Sequence, residues 1–315
     1  MAEVVTDAPG LDLEMSAYVE RVNGFYPPDA VDLDIAGQRK HYDRLCVAFN
    51  RAHPQGVATE DGTLPGPAGA LRIRRYRRSL NEGPATILYF HGGGFVLGGL
   101  DSHDSVCAEL CGATGHRVVA VEYRLSPEHI HPAHHDDALA AFRALIREER
   151  PVVLAGDSAG GALAASVALA TRGEPRAAIG QLLIYPGLGG ESLGLASYTE
   201  HAEAIHLTAD DVAYYRRMRA GGEPRLHDWT FAPLWASSLA HLPPCVAVSA
   251  DIDPLRDDAA EYVRRLQAAH VRARWLNERG LVHGFLRARL MSRRAQAAFD
   301  RICDAASRLG RGEGL

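Results

Sequence analysis

The chain has 315 residues, 47% hydrophobic and 23% charged, with a formal net charge of −5. That is enough apolar material for a sizeable core and too little positive charge for a dominant nucleic-acid footprint. Lys40 is the one lysine, so 33 of the 34 basic residues are arginine, which excludes a G-x-x-x-x-G-K-[ST] phosphate loop and leaves a Schiff-base enzyme no lysine but Lys40.

In chain order, the acidic N-terminus has no positive flank before an apolar stretch and does not resemble a signal peptide. Residues 1–50 predict two amphipathic helices, about Asp12–Asn23 and Asp34–Asn50, separated by Pro27-Pro28. Pro54 to Gly69 is polar and rich in glycine and proline, which predicts a linker or hairpin loop; Leu71–Tyr76 alternates apolar residues with arginines, the pattern of an edge strand. From Thr86 onward, short buried-strand runs appear at Thr86–Phe90, Arg117–Glu122, Val152–Ala155, Ile179–Tyr185, Cys245–Ser249 and Ala273–Asn277. Helical stretches separate them, so the expected fold is α/β, a mainly parallel sheet covered on both faces. The interval from Tyr185 to Cys245, about 60 residues, is too long for one crossover. It holds a helix announced by Thr208-x-x-Asp211, and an insertion there lies over the carboxyl end of the sheet, where open α/β folds bind ligands. The apolar stretch Ala159 to Ala170 is too short to span a bilayer, so no stable membrane insertion is expected. The five cysteines (Cys46, Cys107, Cys111, Cys245, Cys303) are scattered and lack the paired spacing of a zinc site, which suits a reducing, cytoplasmic setting.

The chemistry concentrates at predicted strand ends. Gly156-Asp157-Ser158-Ala159-Gly160 follows one strand and precedes a helix; a serine at so sharp a turn is held exposed, and glycines two residues either side avoid collisions with backbone. His91-Gly92-Gly93-Gly94-Phe95 follows another strand, and consecutive glycines let backbone N–H groups approach an oxyanion unblocked. Neither segment has the G-x-G-x-x-G spacing of a dinucleotide loop. Among 15 histidines, His283 is singled out as general base because it follows the last strand, at the same carboxyl edge as Ser158. The acid partner is Asp251 or Asp253, both after the strand at 245–249. The fixed turn before Pro254 favours Asp253, and Asp251 stays open as a local cap. His129, His131, His134 and His135, with Asp136 and Asp137 following, are interrupted by Pro132 and predict no metal site. Tyr18, Phe25, Tyr26, Tyr214 and Tyr215 are candidates to line a pocket.

The order Ser158…Asp253…His283 is that of the α/β-hydrolases. His91-Gly-Gly-Gly-Phe95, Glu122-Tyr-Arg-Leu-Ser-Pro-Glu-His129, Gly156-Asp-Ser-Ala-Gly160, Asp253-Pro-Leu and His283-Gly-Phe285 together resemble the hormone-sensitive-lipase family of esterases, and within it the bacterial acetyl esterases. The likeness covers about residues 70–310 and departs at Glu122, where relatives often carry aspartate. It implies an α/β-hydrolase fold with a helical cap made of residues 1–50 and an insertion at 188–225, the rest of 51–315 being the catalytic domain. It assigns Ser158, Asp253 and His283 as the catalytic triad and Gly92, Gly93, Gly94 and Ala159 as the oxyanion hole. His91, Gly156, Asp157 and Gly160 become motif support. The implied partner is a small-molecule ester with a short acyl group; no cofactor, metal or nucleic acid is expected, and a homodimer is left open. A thioester, lactone or amide hydrolase would use the same residues. A ligand-binding relative on a disabled hydrolase fold commonly lacks a triad member, whereas all three positions are filled here.

Overall fold

A computed structural model of the chain describes residues 10–26, 33–80 and 82–314. The N-terminal residues weighed as a signal peptide and the Pro27-Pro28 break lie outside them. The elements are, in order, α1 (Leu13–Asn23), α2 (Ile35–Ala48), β1 (Val57–Gly66), β2 (Gly69–Arg78), β3 (Thr86–Phe90), α3 (Asp104–Thr114), β4 (Arg117–Val121), α4 (Ala133–Leu145), β5 (Val152–Asp157) and α5 (Ala159–Thr171). There follow β6 (Gly180–Ile184), α6 (Ser197–Glu200), α7 (Ala209–Ala220), β7 (Cys245–Ile252), α8 (Arg256–Ala268), β8 (Ala273–Val282) and α9 (Arg293–Gly310).

The eight strands form one sheet in the order β1-β2-β4-β3-β5-β6-β7-β8. β1 and β2 pair antiparallel, β2 pairs antiparallel with β4, and the remaining pairs are parallel. The central strands are apolar throughout because both of their faces are covered. Along β3, Ile87 and Tyr89 pack on one side with α1, α3 and α9, while Leu88 and Phe90 pack on the other with α4, α5 and α8. The same alternation runs through Val118, Val119, Ala120 and Val121 of β4 and Val152, Val153, Leu154 and Ala155 of β5. A one-residue slip would exchange these faces, so the pattern pins the register.

Two expectations are corrected at the N-terminal edge. Residues 57–66 are a ten-residue strand rather than a linker or loop, paired with β2 from Val57↔Arg78 to Gly66↔Gly69. β2 is therefore covered by β1 on one side and β4 on the other, and β1 is the edge. Only Leu64 of β1 is buried, so this strand carries no apolar period to detect, and Pro65 is tolerated as edge strands permit.

Helix α7 starts as expected. Thr208 Oγ1 accepts the Asp211 N–H, and the Asp211 carboxylate accepts the Thr208 N–H in return. This helix and the two N-terminal ones come over the carboxyl ends of the parallel strands. Tyr18 of α1, Tyr42 of α2 and Tyr215 of α7 line a cavity that Ser158 and His283 also line.

Candidate active site

Ser158 joins β5 to α5 with φ 53° and ψ −117°, a left-handed backbone rare for a residue with a side chain. The crossing is so close that a Cβ on Gly160 would run into the Phe90 carbonyl, and one on Gly156 would meet the backbone of Gly160. Strain at Ser158 and glycine at both flanks are thus one geometric requirement. The turn also sets Ser158 at the N-terminus of α5, whose first N–H groups have no acceptor within the helix and favour negative charge.

His283 follows β8 directly, and its Nε2 lies 3.0 Å from Ser158 Oγ while its Nδ1 lies 2.7 Å from Asp253 Oδ2. A carboxylate only accepts, so Nδ1 carries the proton and Nε2 turns its lone pair to the serine hydroxyl. Asp253 is fully buried, and its other oxygen accepts the Leu255 N–H at 2.8 Å. The other candidate, Asp251, points elsewhere: it accepts from Asn277 Nδ2 at 2.7 Å and Gly280 N–H at 3.1 Å. It ties β7 to β8 where their register shifts, between Ala250 and Ile252, and so does not cap its own turn.

The glycine loop divides. Gly93 and Gly94, with φ 123° and 62°, line the cavity beside Ser158. Neither of their N–H groups has a hydrogen-bond acceptor among the described residues, and the same holds for Ala159. Gly92 departs from expectation, because its N–H donates to Asp157 Oδ1 at 3.0 Å and is unavailable to an oxyanion. Asp157 is the anchor of the loop. Oδ1 also accepts from Tyr89 OH at 2.8 Å, and Oδ2 accepts from His103 Nε2 at 3.2 Å and Tyr185 OH at 3.5 Å. Burial alone would raise this carboxyl, but the His103 charge and these hydrogen bonds outweigh it and hold it below the usual carboxylate range. Spacing gave no hint of the Asp157 hub, whose donors Tyr89, Gly92 and His103 come from outside its own turn.

His91 does not reach the reaction centre. Its ring stacks on Tyr123 with centroids 4.3 Å apart, Tyr123 OH donates to the His91 carbonyl at 2.7 Å, and burial pushes its pKa down to about 4. The 129–135 histidines serve packing and polar contacts. His134 Nε2 lies 3.0 Å from Ser126 Oγ, His135 Nδ1 3.0 Å from Ser166 Oγ, and His131 Nε2 3.2 Å from Asp228. Among the described residues no group of three or more His, Cys, Asp or Glu side chains is arranged to hold a metal ion.

Two cavities meet at Ser158. The larger, about 490 Å³, is lined by His283, Gly93, Gly94, Tyr18, Tyr26 and Tyr215, among others. The smaller, about 60 Å³, lies past Gly94 and Ala159 against Phe95, Leu207, Val212 and Leu255. Of the aromatic candidates, Phe25 and Tyr214 line neither; Phe25 packs on Phe49 and Tyr214 on the edge of Tyr215.

Comparison with known proteins agrees with this fold. Residues 87–287 match the α/β-hydrolase fold family. Esterase LipI of Mycobacterium tuberculosis is 40% identical over 249 residues, 74% of this chain and 76% of that protein. An ethyl acetate hydrolase of Pseudomonas putida is 31% identical over 301 residues, covering 88% and 92% of the two chains. The solved hyperthermophilic esterase of the archaeon Pyrobaculum calidifontis superposes with a TM-score of 0.86 at 31% identity, over 95% of this chain and 98% of that one. The chain belongs to the α/β-hydrolase fold family, among its hormone-sensitive-lipase-like carboxylesterases.

Proposed function

We propose that this protein is a serine carboxylesterase for esters of short acyl groups, acting through an acyl-enzyme. His283 Nε2 takes the Ser158 proton as Oγ attacks the ester carbonyl, and Asp253 holds the ring in the required tautomer and stabilises the imidazolium. The developing oxyanion is received by the N–H groups of Gly93, Gly94 and Ala159, with Gly92 holding the loop from behind through Asp157. The imidazolium then protonates the leaving alcohol, and His283 next activates water against acyl-Ser158. No step calls for a cofactor. The observation that carries this reading is the unbroken Asp253–His283–Ser158 hydrogen-bonded chain, at 2.7 and 3.0 Å, beside three N–H groups without acceptors among the described residues.

The two cavities divide the ester. The leaving alcohol must lie beside the group that protonates it, and His283 lines the 490 Å³ cavity but not the 60 Å³ one. The acyl group therefore enters the small cavity, whose lining is mainly apolar with Arg216 and Arg219 at its wall. Each buried methylene gains about 0.8 kcal/mol while overfilling a closed site costs about 1–3 kcal/mol, so acyl length is cut off sharply. Residues 1–50 and 188–225 act as the cap, an assignment supported by Tyr18, Tyr42 and Tyr215 over the site. We place the enzyme in the cytoplasm on the strength of five unpaired, buried cysteines; among the described residues no helix is long and apolar enough to cross a membrane.

The test is a p-nitrophenyl ester series from acetate to decanoate. Turnover should peak at the shortest acyl groups and fall steeply beyond about hexanoate. No hydrolysis of any member would overturn the reading, and a profile rising toward decanoate would overturn the division of the cavities.

A further inference from the structure

Among the described residues, Arg287 is the one arginine or lysine that lines the larger cavity. It lies on the short 3₁₀ turn Phe285–Leu290 that follows His283. Its guanidinium donates to Tyr42 OH, sits with its carbon 4.8 Å from the centre of the Tyr42 ring, and brings Nη1 to 3.3 Å from where a Gly284 Cβ would stand. Its buried Nε has no acceptor, and no carboxylate lies within 4.0 Å of its nitrogens among the described residues. A guanidinium stays charged under all ordinary conditions, so this is a partly buried cation held by a neutral phenol.

The neighbouring arginines show how differently the fold treats the others. Arg289, two residues on, is bound by Glu109 at 2.6 Å and donates to Ser105 Oγ at 2.8 Å. Arg219 shares the buried Nε without an acceptor, but it lines the smaller cavity rather than the larger, packed between the rings of Phe95 and Phe231, 3.8 and 4.3 Å from their centres, and donates to the carbonyls of Phe231 and Thr230. Among the described residues two carboxylates line the same cavity, and both are occupied. Asp157 is taken up by Tyr89, Gly92, His103 and Tyr185, and Asp211 by the N–H and hydroxyl of Thr208. Arg287 alone of these groups faces the cavity with donors to spare, and a planar fork of N–H groups matches a carboxylate.

We propose that Arg287 is a specificity residue that binds a carboxylate on the alcohol half of the substrate, so that the preferred substrates are short-acyl esters of alcohols carrying a carboxylate. The inference rests on the esterase reading and on the alcohol occupying the cavity beside His283. Because the guanidinium meets a part of the substrate that does not react, its contribution belongs to KM more than to kcat.

The experiment compares acetyl esters of 3- and 4-hydroxybenzoate with the acetyl esters of the matching hydroxybenzamides, near-isosteres without the charge. In the wild type at least one carboxylate ester should have a kcat/KM about tenfold or more above its amide, largely through KM. Arg287→Gln should lower that carboxylate-to-amide ratio about tenfold or more, and Arg287→Lys, which keeps the charge but not the fork, should fall between. Taking the ratio cancels any general damage to the site. If Arg287→Gln does not fold, the wild type still decides: 3- or 4-hydroxybenzoate should inhibit p-nitrophenyl acetate hydrolysis more strongly than the corresponding hydroxybenzamide. A wild-type ratio at or below one for both pairs, a ratio that Arg287→Gln leaves unchanged, or equal inhibition by acid and amide would overturn the proposal. Failure to hydrolyse p-nitrophenyl acetate would instead overturn the esterase reading.

Discussion

Two buried aspartates each face a histidine at this site, and they do different work. Asp253 gives one oxygen to the Leu255 N–H and the other to His283 Nδ1, leaving His283 Nε2 directed at Ser158. Asp157, in the turn that carries Ser158, meets His103 but also Tyr89, Tyr185 and the Gly92 N–H, and its histidine is 4% exposed and lines neither cavity. The first pair ends on a serine hydroxyl that lines the cavity; in the second, His103 Nδ1 lies 2.8 Å from Ser102 Oγ, a hydroxyl already held by the N–H and carbonyl of Gly99 and lining neither cavity. An Asp–His contact is therefore not catalytic in itself. What decides is whether the far nitrogen of the ring is left facing a reactive group or is used up inside the fold.

The comparison can be broken in several ways. Ser158→Ala and His283→Ala should each lower kcat by about 10⁴–10⁶ with the fold intact, because triad members act as a unit. Asp253→Asn should cost about 10³–10⁴ in kcat by releasing the ring from its tautomer, with circular dichroism unchanged. Asp157→Asn should act mainly on stability, by about 3–5 kcal/mol in urea unfolding, since it breaks a buried charge away from its donors. A full loss of kcat in a stable Asp157→Asn protein would erase the distinction. Asp251→Asn, which frees only the β7–β8 tie, should change kcat by less than about tenfold.

The buried histidines sharpen the contrast through pH. Burial pushes His91, His131, His135 and His206 down to about 4, and His134 to about 2. An unfolded chain holds them near 6.5, so as pH falls it binds protons first. Their stabilisation is thus fully present above about pH 6.5 and is lost progressively toward pH 4, at up to about 1.4 kcal/mol per pH unit for each ring. Urea midpoints at pH 7 and pH 5 check this: the midpoint should drop clearly, and an unchanged value would contradict the burial of neutral rings.

Much of this was legible in the sequence where burial is two-sided. β3, β4 and β5 appear as apolar runs because both faces are covered, and Ser158 and His283 stand out because each follows such a run. β1 was missed because an edge strand with nine of its ten residues exposed or half-buried has no apolar pattern. The choice between Asp251 and Asp253 needed the resemblance or the structure, since both follow β7 and only the position of β8 shows which carboxylate meets His283. Gly92 looked like its two neighbours, and nothing local says that its N–H turns back to Asp157. Arg287 falls one short turn after His283, and that no carboxylate among the described residues meets it is a property of the assembled cavity alone.

The central claim is that Ser158 is the atom acylated and that His283 drives it. Treating the protein with a p-nitrophenyl alkylphosphonate and locating the adduct by peptide mass spectrometry tests this most directly. One equivalent of p-nitrophenol should be released, activity lost in step, and the phosphonate found on Ser158, with His283→Ala labelled far more slowly. A label on another residue, or complete labelling with activity retained, would contradict the account.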